Sequence, residues 1–467
     1  MVFKLDEFID DMSKSNLNNS IVESNDFSDF YLLCSEIKTL FKDKADSKEF
    51  LLTQKKAIQG YEEEVQYYLN EIETYLQRNN KEHIKYPTWY DELSIGIFHE
   101  IWGLHGIYLW TKDKTSSSAK IIGEKIFFLN KGRQVLQKQR ISQERLNKLI
   151  TALLLLTPEK RINEDYHEVY MIDGTRIEIL NNTKETTVVF RKYTIQDYSF
   201  ETQAELNTID AEMIPLMKDF VKCGFNVNFI GPVRSGKTTA MTTYQSYEDP
   251  SLEGTLIETD PEIPLHLIMP ESPITQIVVD GDELDKVIKP LMRSDADYLV
   301  MGEARDGKAL RLMLLVTKKG TRRVKATFHT GDPGNFCFDV AQEISNLYGG
   351  DVWAYMIQVA KGFQYLFEFA QMPYNKSVKK LKGIYEIRLD PETLVLSTHQ
   401  IVKYNSETND WEYSYDIGDD VQRIGNEEDP KALENFKNEL QRLANLKPMK
   451  GNHIVVSPYS KLMMRGN

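Results

Sequence analysis

Only three cysteines occur in 467 residues, Cys34, Cys223 and Cys337, and they are widely separated. No Cys-x-x-Cys pair exists, which argues against a zinc site built on cysteines. Scattered thiols fit a reducing compartment better than a disulfide scaffold. Long apolar runs are also missing. None reaches the ~18–20 residues needed to span a bilayer. The opening stretch, MVFKLDEFIDDMSKSN, is acidic and lacks the apolar core of a secretory signal. A cytoplasmic protein is the expectation. Positive charge is scarce as well: 57 Lys and Arg stand against 70 Asp and Glu, a formal net charge of −13. A surface that docks broadly on nucleic acid needs clustered Lys and Arg, so no direct sequence-specific nucleic-acid binding is expected. Internal repeats and low-complexity tracts are absent.

What is present is ordinary for a chain that buries a core, with 41% hydrophobic and 27% charged residues. The length suggests about two to four folding units. Residues 1–90 place apolar side chains three and four apart, as in DFYLLCSEIKTLF and YEEEVQYYLNEIETYLQ, and predict a helical extension. Residues 91–195 carry short strand-like runs, GIYLW, KIIGEKIFFL, EVYMI, RIEIL and TTVVFRKY, around one helical run capped by Ser142. This predicts a small α+β domain. Residues 196–210 are polar and read as a linker or short helix. Residues 211–390 alternate strands and helices, which predicts an α/β domain with a doubly wound, mostly parallel sheet. Residues 391–467 read as antiparallel strands followed by an amphipathic helix.

Within the alternating segment lies FNVNFIGPVRSGKTTAMTTY. Gly231, Pro232, Val233, Arg234, Ser235, Gly236, Lys237, Thr238 and Thr239 contain the full Gly-x-x-x-x-Gly-Lys-Thr pattern of a phosphate-binding loop. Each residue type has a physical task. The glycines let backbone N–H groups turn onto phosphate oxygens. Lys237 reaches the β- and γ-phosphates, and the Thr238 hydroxyl coordinates Mg²⁺. The helix that follows directs its positive end at the phosphates. A strand-like run before the loop and a helix-compatible run after it supply the context the motif requires.

Hydrolysis needs an acidic group for water and Mg²⁺, and positive charge at the transferring phosphoryl. Three downstream segments carry such groups. LIETDPEI brings Glu258, Asp260 and Glu262, with a solvated acidic turn as the alternative. DYLVMGEARD is an apolar strand ending in Gly302, Glu303 and Arg305. A carboxylate just past a buried strand of the same sheet sits where water must be activated. KATFHTGDP ends a further strand in His329.

These four elements, in this order, resemble the secretion ATPase superfamily, whose members power type II and type IV secretion, type IV pili and conjugation. Its Asp box is similar to Glu258–Glu262, although Thr259 stands in the aspartate's place and Asp260 one position late. Its Arg-rich signature resembles RSDADYLVMGEAR, with Arg293, Asp297, Gly302, Glu303 and Arg305 matching, while Asp295, Ala296 and Lys308 depart. Its His box resembles GTRRVKATFHTGDP, where Thr321 replaces the earlier histidine. Upstream, EVYMIDGTRIEI and VVFRKY look like N-terminal-domain strands that carry Arg176 and Arg191 towards the nucleotide. Exposed strand arginines are the alternative for this pair. The Asp-Gly-Arg pattern and the missing zinc cysteines favour the branch of tight-adherence pilus and type IV secretion motors.

The resemblance implies a RecA-like P-loop domain below an N-terminal α+β domain, assembled as a homo-hexamer. ATP would lie between the two domains, with Mg²⁺ on Thr238. Glu303 would activate water, assisted by Glu258 or Glu262. His329, Arg305, Arg176 and Arg191 would sense or neutralise the γ-phosphate. Hydrolysis would move the domains about a hinge near Thr194–Asn207. Partners would be membrane-embedded secretion or pilus platform proteins, which would place the chain at the inner face of the cell membrane. Two other functions stay open at this point. One is a nucleotide-binding structural subunit with weak or no hydrolysis. The other is a nucleic-acid translocase, which the acidic balance disfavours.

Overall fold

The computed structural model describes residues 27–41, 53, 56–154, 166–171, 174–192, 197–259, 261–279 and 283–460. It divides into two compact units, Met1–Thr194 and Ile195–Asn467.

The first unit begins with helices. In α1 (Ser28–Leu40) the apolar spacing buries Phe30, Leu33, Cys34 and Ile37 on one face. In α2 (Glu62–Arg78) it buries Tyr68, Ile72 and Leu76. With α3 (Leu93–Ile101) they enclose an aromatic core in which the Trp102 ring lies 4.9 Å from both Phe41 and Tyr68. The run GIYLW, expected as a strand, is helical: a 3₁₀ turn over His105–Ile107 leads into α4 (Tyr108–Lys112). Ile107 and Trp110 are both fully buried in one cluster. Residues three apart share a face on a helix and take opposite faces on a strand, so burying both selects the helix.

An antiparallel sheet follows, in the order β3-β2-β1-β6-β5-β4. Its strands are β1 (Ser118–Ile122), β2 (Lys125–Asn130), β3 (Arg133–Arg140), β4 (Tyr166–Tyr170), β5 (Arg176–Leu180) and β6 (Thr187–Arg191). Helix α5 (Gln143–Leu154) buries Leu146, Leu149, Ile150 and Leu153 in the same cluster as the inner sheet face. The Ser142 hydroxyl accepts the Arg145 N–H at its start, 3.3 Å away.

The second unit opens with α6 (Phe200–Glu205), where the expected linker lies. Ser199 caps this helix, and the Phe200 ring stacks on Tyr247 at 4.4 Å. Residues 194–196 of the expected hinge lie outside the described residues, whereas Phe200 belongs to the unit's core. After α7 (Ile214–Lys222) comes the ten-stranded sheet, ordered β15-β14-β13-β12-β7-β11-β10-β8-β9, with β16 pairing β14. Its parallel part comprises β7 (Val227–Ile230), β8 (Gly254–Glu258), β9 (Ile274–Val278), β10 (Tyr298–Met301), β11 (Lys325–Phe328) and β12 (Tyr365–Met372). Strands β7, β10 and β11 are buried along their whole length, as expected for a sheet covered on both faces. One face packs α7 and α8 (Lys237–Gln245) around Phe220, Phe229 and Tyr244. The other packs α11 (Gly307–Lys318), α12 (Phe336–Tyr348) and α13 (Val352–Gly362) around Leu310, Met313 and Phe336. Here α9 is Leu265–Ile268 and α10 is Leu284–Leu291.

The segment beyond residue 390 continues this sheet. Antiparallel strands β13 (Asn375–Leu389), β14 (Leu396–Asn405), β15 (Asp410–Tyr413) and β16 (Ile454–Val456) extend it. Of the last two helices, α14 (Asp419–Glu428) and α15 (Pro430–Leu446), the second returns to the core, with the Phe436 ring 4.7 Å from Phe220. An ion cluster pins these strands. Arg388 forks onto Glu386 at 2.8 and 2.8 Å and reaches Asp416 at 2.8 Å. Asp416 also holds His399 at 2.7 Å, whose other ring nitrogen meets the Ser397 hydroxyl at 3.1 Å. That serine–histidine–aspartate order resembles a hydrolytic triad. Here Arg388 already neutralises the aspartate, and the cluster ties β13, β14 and the following turn together. Among the described residues no helix is long and apolar enough to cross a membrane.

Candidate nucleotide site

Strand β7 lies between β12 and β11, and β11 separates it from β10. The carboxyl ends of these adjacent strands deliver Gly231, His329 and Gly302-Glu303 to one edge of the sheet, where open α/β sheets bind ligands. The loop after β7 can form only with glycine at its first position. Gly231 has φ +137°, and a Cβ there would stand 2.1 Å from the Phe369 carbonyl oxygen of β12. Arg234 takes φ +63°, and Gly236, at φ +94°, turns the chain into α8. The Gln371 side-chain amide donates to the Arg234 carbonyl at 2.9 Å and fastens the loop to β12. Pro232, Val233 and Arg234 are exposed, Ser235 is buried, and Thr238 and Thr239 are half-buried in the first turn of α8.

Lys237 is only 5% exposed. Its ammonium donates to the Gly231 carbonyl at 3.0 Å and the Pro232 carbonyl at 2.9 Å, and lies 3.3 Å from His329 Nδ1. Burial pushes the amine down to about 8, against an opposing pull from the Glu303 charge. The His329 Nε2 lies 3.0 Å from Glu303 Oε1, and Arg305 donates to Glu303 Oε2 at 2.6 Å. These contacts fix the histidine's roles: Nε2–H donates to Glu303, leaving the Nδ1 lone pair to accept from Lys237. Desolvation raises the Glu303 carboxyl, but the hydrogen bonds from Arg305 and His329 and the Arg305 charge outweigh it and hold it below the usual range. Glu303 is therefore ionised at neutral pH.

Glu258 ends β8 and is 5% exposed. Its Oε1 accepts the backbone N–H groups of Glu262 at 2.9 Å and Ile263 at 2.8 Å, tethering the turn that follows. Together with Thr259, Glu303, Arg305 and Asp306 it lines a small pocket. Glu262 is half-buried, and Asp260 lies outside the described residues. Replacing Glu258 by Ala would strand two N–H groups, one of them on the buried Ile263, and should lower stability by about 1–3 kcal/mol. Glu258→Gln, which keeps an acceptor oxygen, should recover most of that loss in denaturant unfolding. Equal losses for the two variants would show that the charge, rather than the tether, matters there.

Arg176 and Arg191 face each other across β5 and β6 in the first unit. Arg176 pairs with Glu168 and, at 3.2 Å, with Glu178, which also lies 3.4 Å from Arg191. Arg191 is the more open of the two, its side chain 44% exposed against 13%.

Several features suit a nucleotide with Mg²⁺. The lysine rests on loop carbonyls that phosphate oxygens can replace, and the buried Ser235 hydroxyl has no partner among the described residues. Gln371, by contrast, has no signal in the sequence, because only the packing of β12 beside β7 brings it to the loop.

The strand order and the loop after β7 define a RecA-like P-loop fold. No protein-family model matches the chain. An uncharacterized protein of Methanocaldococcus jannaschii is 23% identical over 212 residues, covering 44% of this chain and 75% of the relative. Solved structures similar to this chain include two ATPases and a pilus motor by name. The VirB11 ATPase of the Brucella suis type IV secretion system, in complex with sulphate, is 14% identical, with 59% of this chain and 91% of that one covered and a TM-score of 0.33. The Legionella pneumophila ATPase DotB is 14% identical over 82% of this chain and 98% of that one, with a TM-score of 0.46. The pilus retraction motor PilT, with bound ADP, is 15% identical over 71% and 85%, with a TM-score of 0.42.

Proposed function

We propose that this chain is an ATP-hydrolysing motor subunit of the secretion ATPase kind, serving type IV secretion, conjugation or pilus assembly. The observation that carries this reading is the continuous contact from Lys237 through His329 to Glu303, which joins the phosphate loop to a candidate general base across adjacent strands. Phosphate oxygens replace the Gly231 and Pro232 carbonyls on Lys237, and the first turn of α8 supplies backbone N–H groups. The Thr238 hydroxyl would hold Mg²⁺, which would supply charge neutralisation at the phosphates. Glu303, ionised and held by Arg305, orients the attacking water and accepts its proton. His329, touching both Lys237 and Glu303, reports the state of one to the other. Arg176 and Arg191 are candidate groups for neutralising charge at the γ-phosphate, and Glu258 and Glu262 shape the acidic side.

The active form in this reading is a homo-hexamer, cytoplasmic and peripheral to a membrane platform, in which hydrolysis drives hinge closure between the two units. One observation favours a second reading, a nucleotide-binding subunit with little hydrolysis: Glu258 is engaged in tethering its own turn, and Thr259 stands where a second carboxylate is expected. Phosphate release measured against protein concentration separates the two. A site completed by neighbouring copies gives a specific rate that rises with concentration to a plateau. No release at any concentration, with ATP still bound, supports the structural subunit. Stimulation by DNA supports a translocase.

A further inference from the structure

The phosphate loop is held by a strand pair that the steps above do not use. Strands β12 and β13 set Gln371 directly opposite Lys379, beside a register shift between Gln371 and Met372. Both residues reach the loop. The Gln371 amide holds the Arg234 carbonyl at 2.9 Å. The Lys379 stem lies over Gly236: a Cβ on that glycine would stand 3.4 Å from Lys379 Cγ and 3.6 Å from its Cβ. Gly236 is the residue that caps α8, where backbone N–H groups meet α- and β-phosphates.

Among the described residues the Lys379 ammonium is bound locally, to the Lys376 carbonyl of its own strand. It makes no ion pair with a carboxylate among the described residues, in a chain with a net charge of −13. Burial, with a smaller push from the nearby Arg234 charge, brings the amine down to about 8. Arg234 and Lys379 thus place two cations beside the phosphate loop. Like charges gathered in a half-buried place are unfavourable unless an anion joins them.

We propose that Lys379 is a nucleotide-binding residue, whose ammonium leaves the Lys376 carbonyl and pairs with the α- and β-phosphates above Gly236. Its flexible four-carbon stem allows that swing without moving β13. Lysine supplies a point charge here, so the contact serves ADP and ATP alike and contributes nothing to base choice. The inference rests on the nucleotide-binding reading given above and adds a second lysine, from a distant part of the sequence, to the phosphate site.

The test is equilibrium binding of Mg·ADP, Mg·ATP and adenosine to the full chain, as wild type, Lys379→Met and Lys379→Arg. A charge-assisted hydrogen bond is worth about tenfold or more in affinity. Lys379→Met should weaken ADP and ATP by about that factor, equally, and leave adenosine unchanged. Lys379→Arg should restore most of the loss. Calorimetry near pH 8.5 in buffers of different ionisation enthalpy gives an independent readout. Phosphate raises the amine's pKa, so the wild type should take up protons on binding ADP, and Lys379→Met should take up fewer. If Lys379→Met matches the wild type in ADP affinity and proton uptake, this inference fails and the nucleotide-binding reading stands. If the wild type binds neither nucleotide, both fail.

Discussion

Lys237→Ala should give a folded chain that binds ATP at least about a hundredfold more weakly and releases no phosphate above background. The ammonium makes two bonds to loop carbonyls that phosphate oxygens are placed to take over, and each charge-assisted bond contributes about 1.5–3 kcal/mol. Two such bonds correspond to about a hundredfold or more in affinity. The fold should survive because the desolvation cost of a buried amine is removed along with its hydrogen bonds. Circular dichroism and phosphate release check both halves of the statement. Unchanged turnover would remove the loop from the account. The pH dependence has a definite sign. The folded pKa of about 8 lies below that of a free lysine, so the amine discharges above pH 8 and nucleotide affinity in the wild type should fall there. The same shift means that the unfolded chain binds more protons between pH 8 and about 10.4, so this group's contribution to stability improves as pH rises through that window.

Glu303→Gln should separate binding from chemistry. The amide keeps the size of the side chain and loses the proton acceptor. Hydrolysis should fall by about 10²–10⁴, the usual contribution of a positioned general base. ATP affinity should hold within a few fold, because the Lys237 and backbone contacts remain. The exchange also loosens the pairing with Arg305, which holds the carboxylate at 2.6 Å. Arg305→Gln should therefore lower turnover as well, by less, since the His329 contact to Glu303 persists. If Glu303→Gln hydrolyses normally, Glu303 is structural, and Glu258 or Glu262 becomes the better candidate base.

The phosphate loop was legible in the sequence because its chemistry fixes residue types at fixed spacing. Gly231 and Gly236 both take φ values that favour glycine, and Gly231 has no room for a side chain. The carboxylate and histidine were legible as strand ends, since β10 is a short apolar run and β11 falls in the strand–helix alternation. Their contact with Lys237 was not legible, because it depends on β11 lying between β7 and β10. Strand β13 was only half legible. Its first part, NKSVKKLKG, is rich in lysine, yet Lys380 is buried with its ammonium about 5 Å from the Tyr404 and Trp411 rings. Charge there conceals a strand whose aromatic partners come from β14 and β15. GIYLW failed for the opposite reason: strand-prone residues were drawn into a helix by burial of Ile107 and Trp110 together. Lys379 belongs with β13, since nothing near it in sequence announces a phosphate site.

The most direct test of ATP hydrolysis at this site is phosphate release by the purified wild-type chain at saturating Mg·ATP, run beside Glu303→Gln. The account predicts linear release over many turnovers for the wild type and a flat trace for the variant, with ATP bound to both. Release by the wild type no faster than by Glu303→Gln, at any protein concentration, would contradict it.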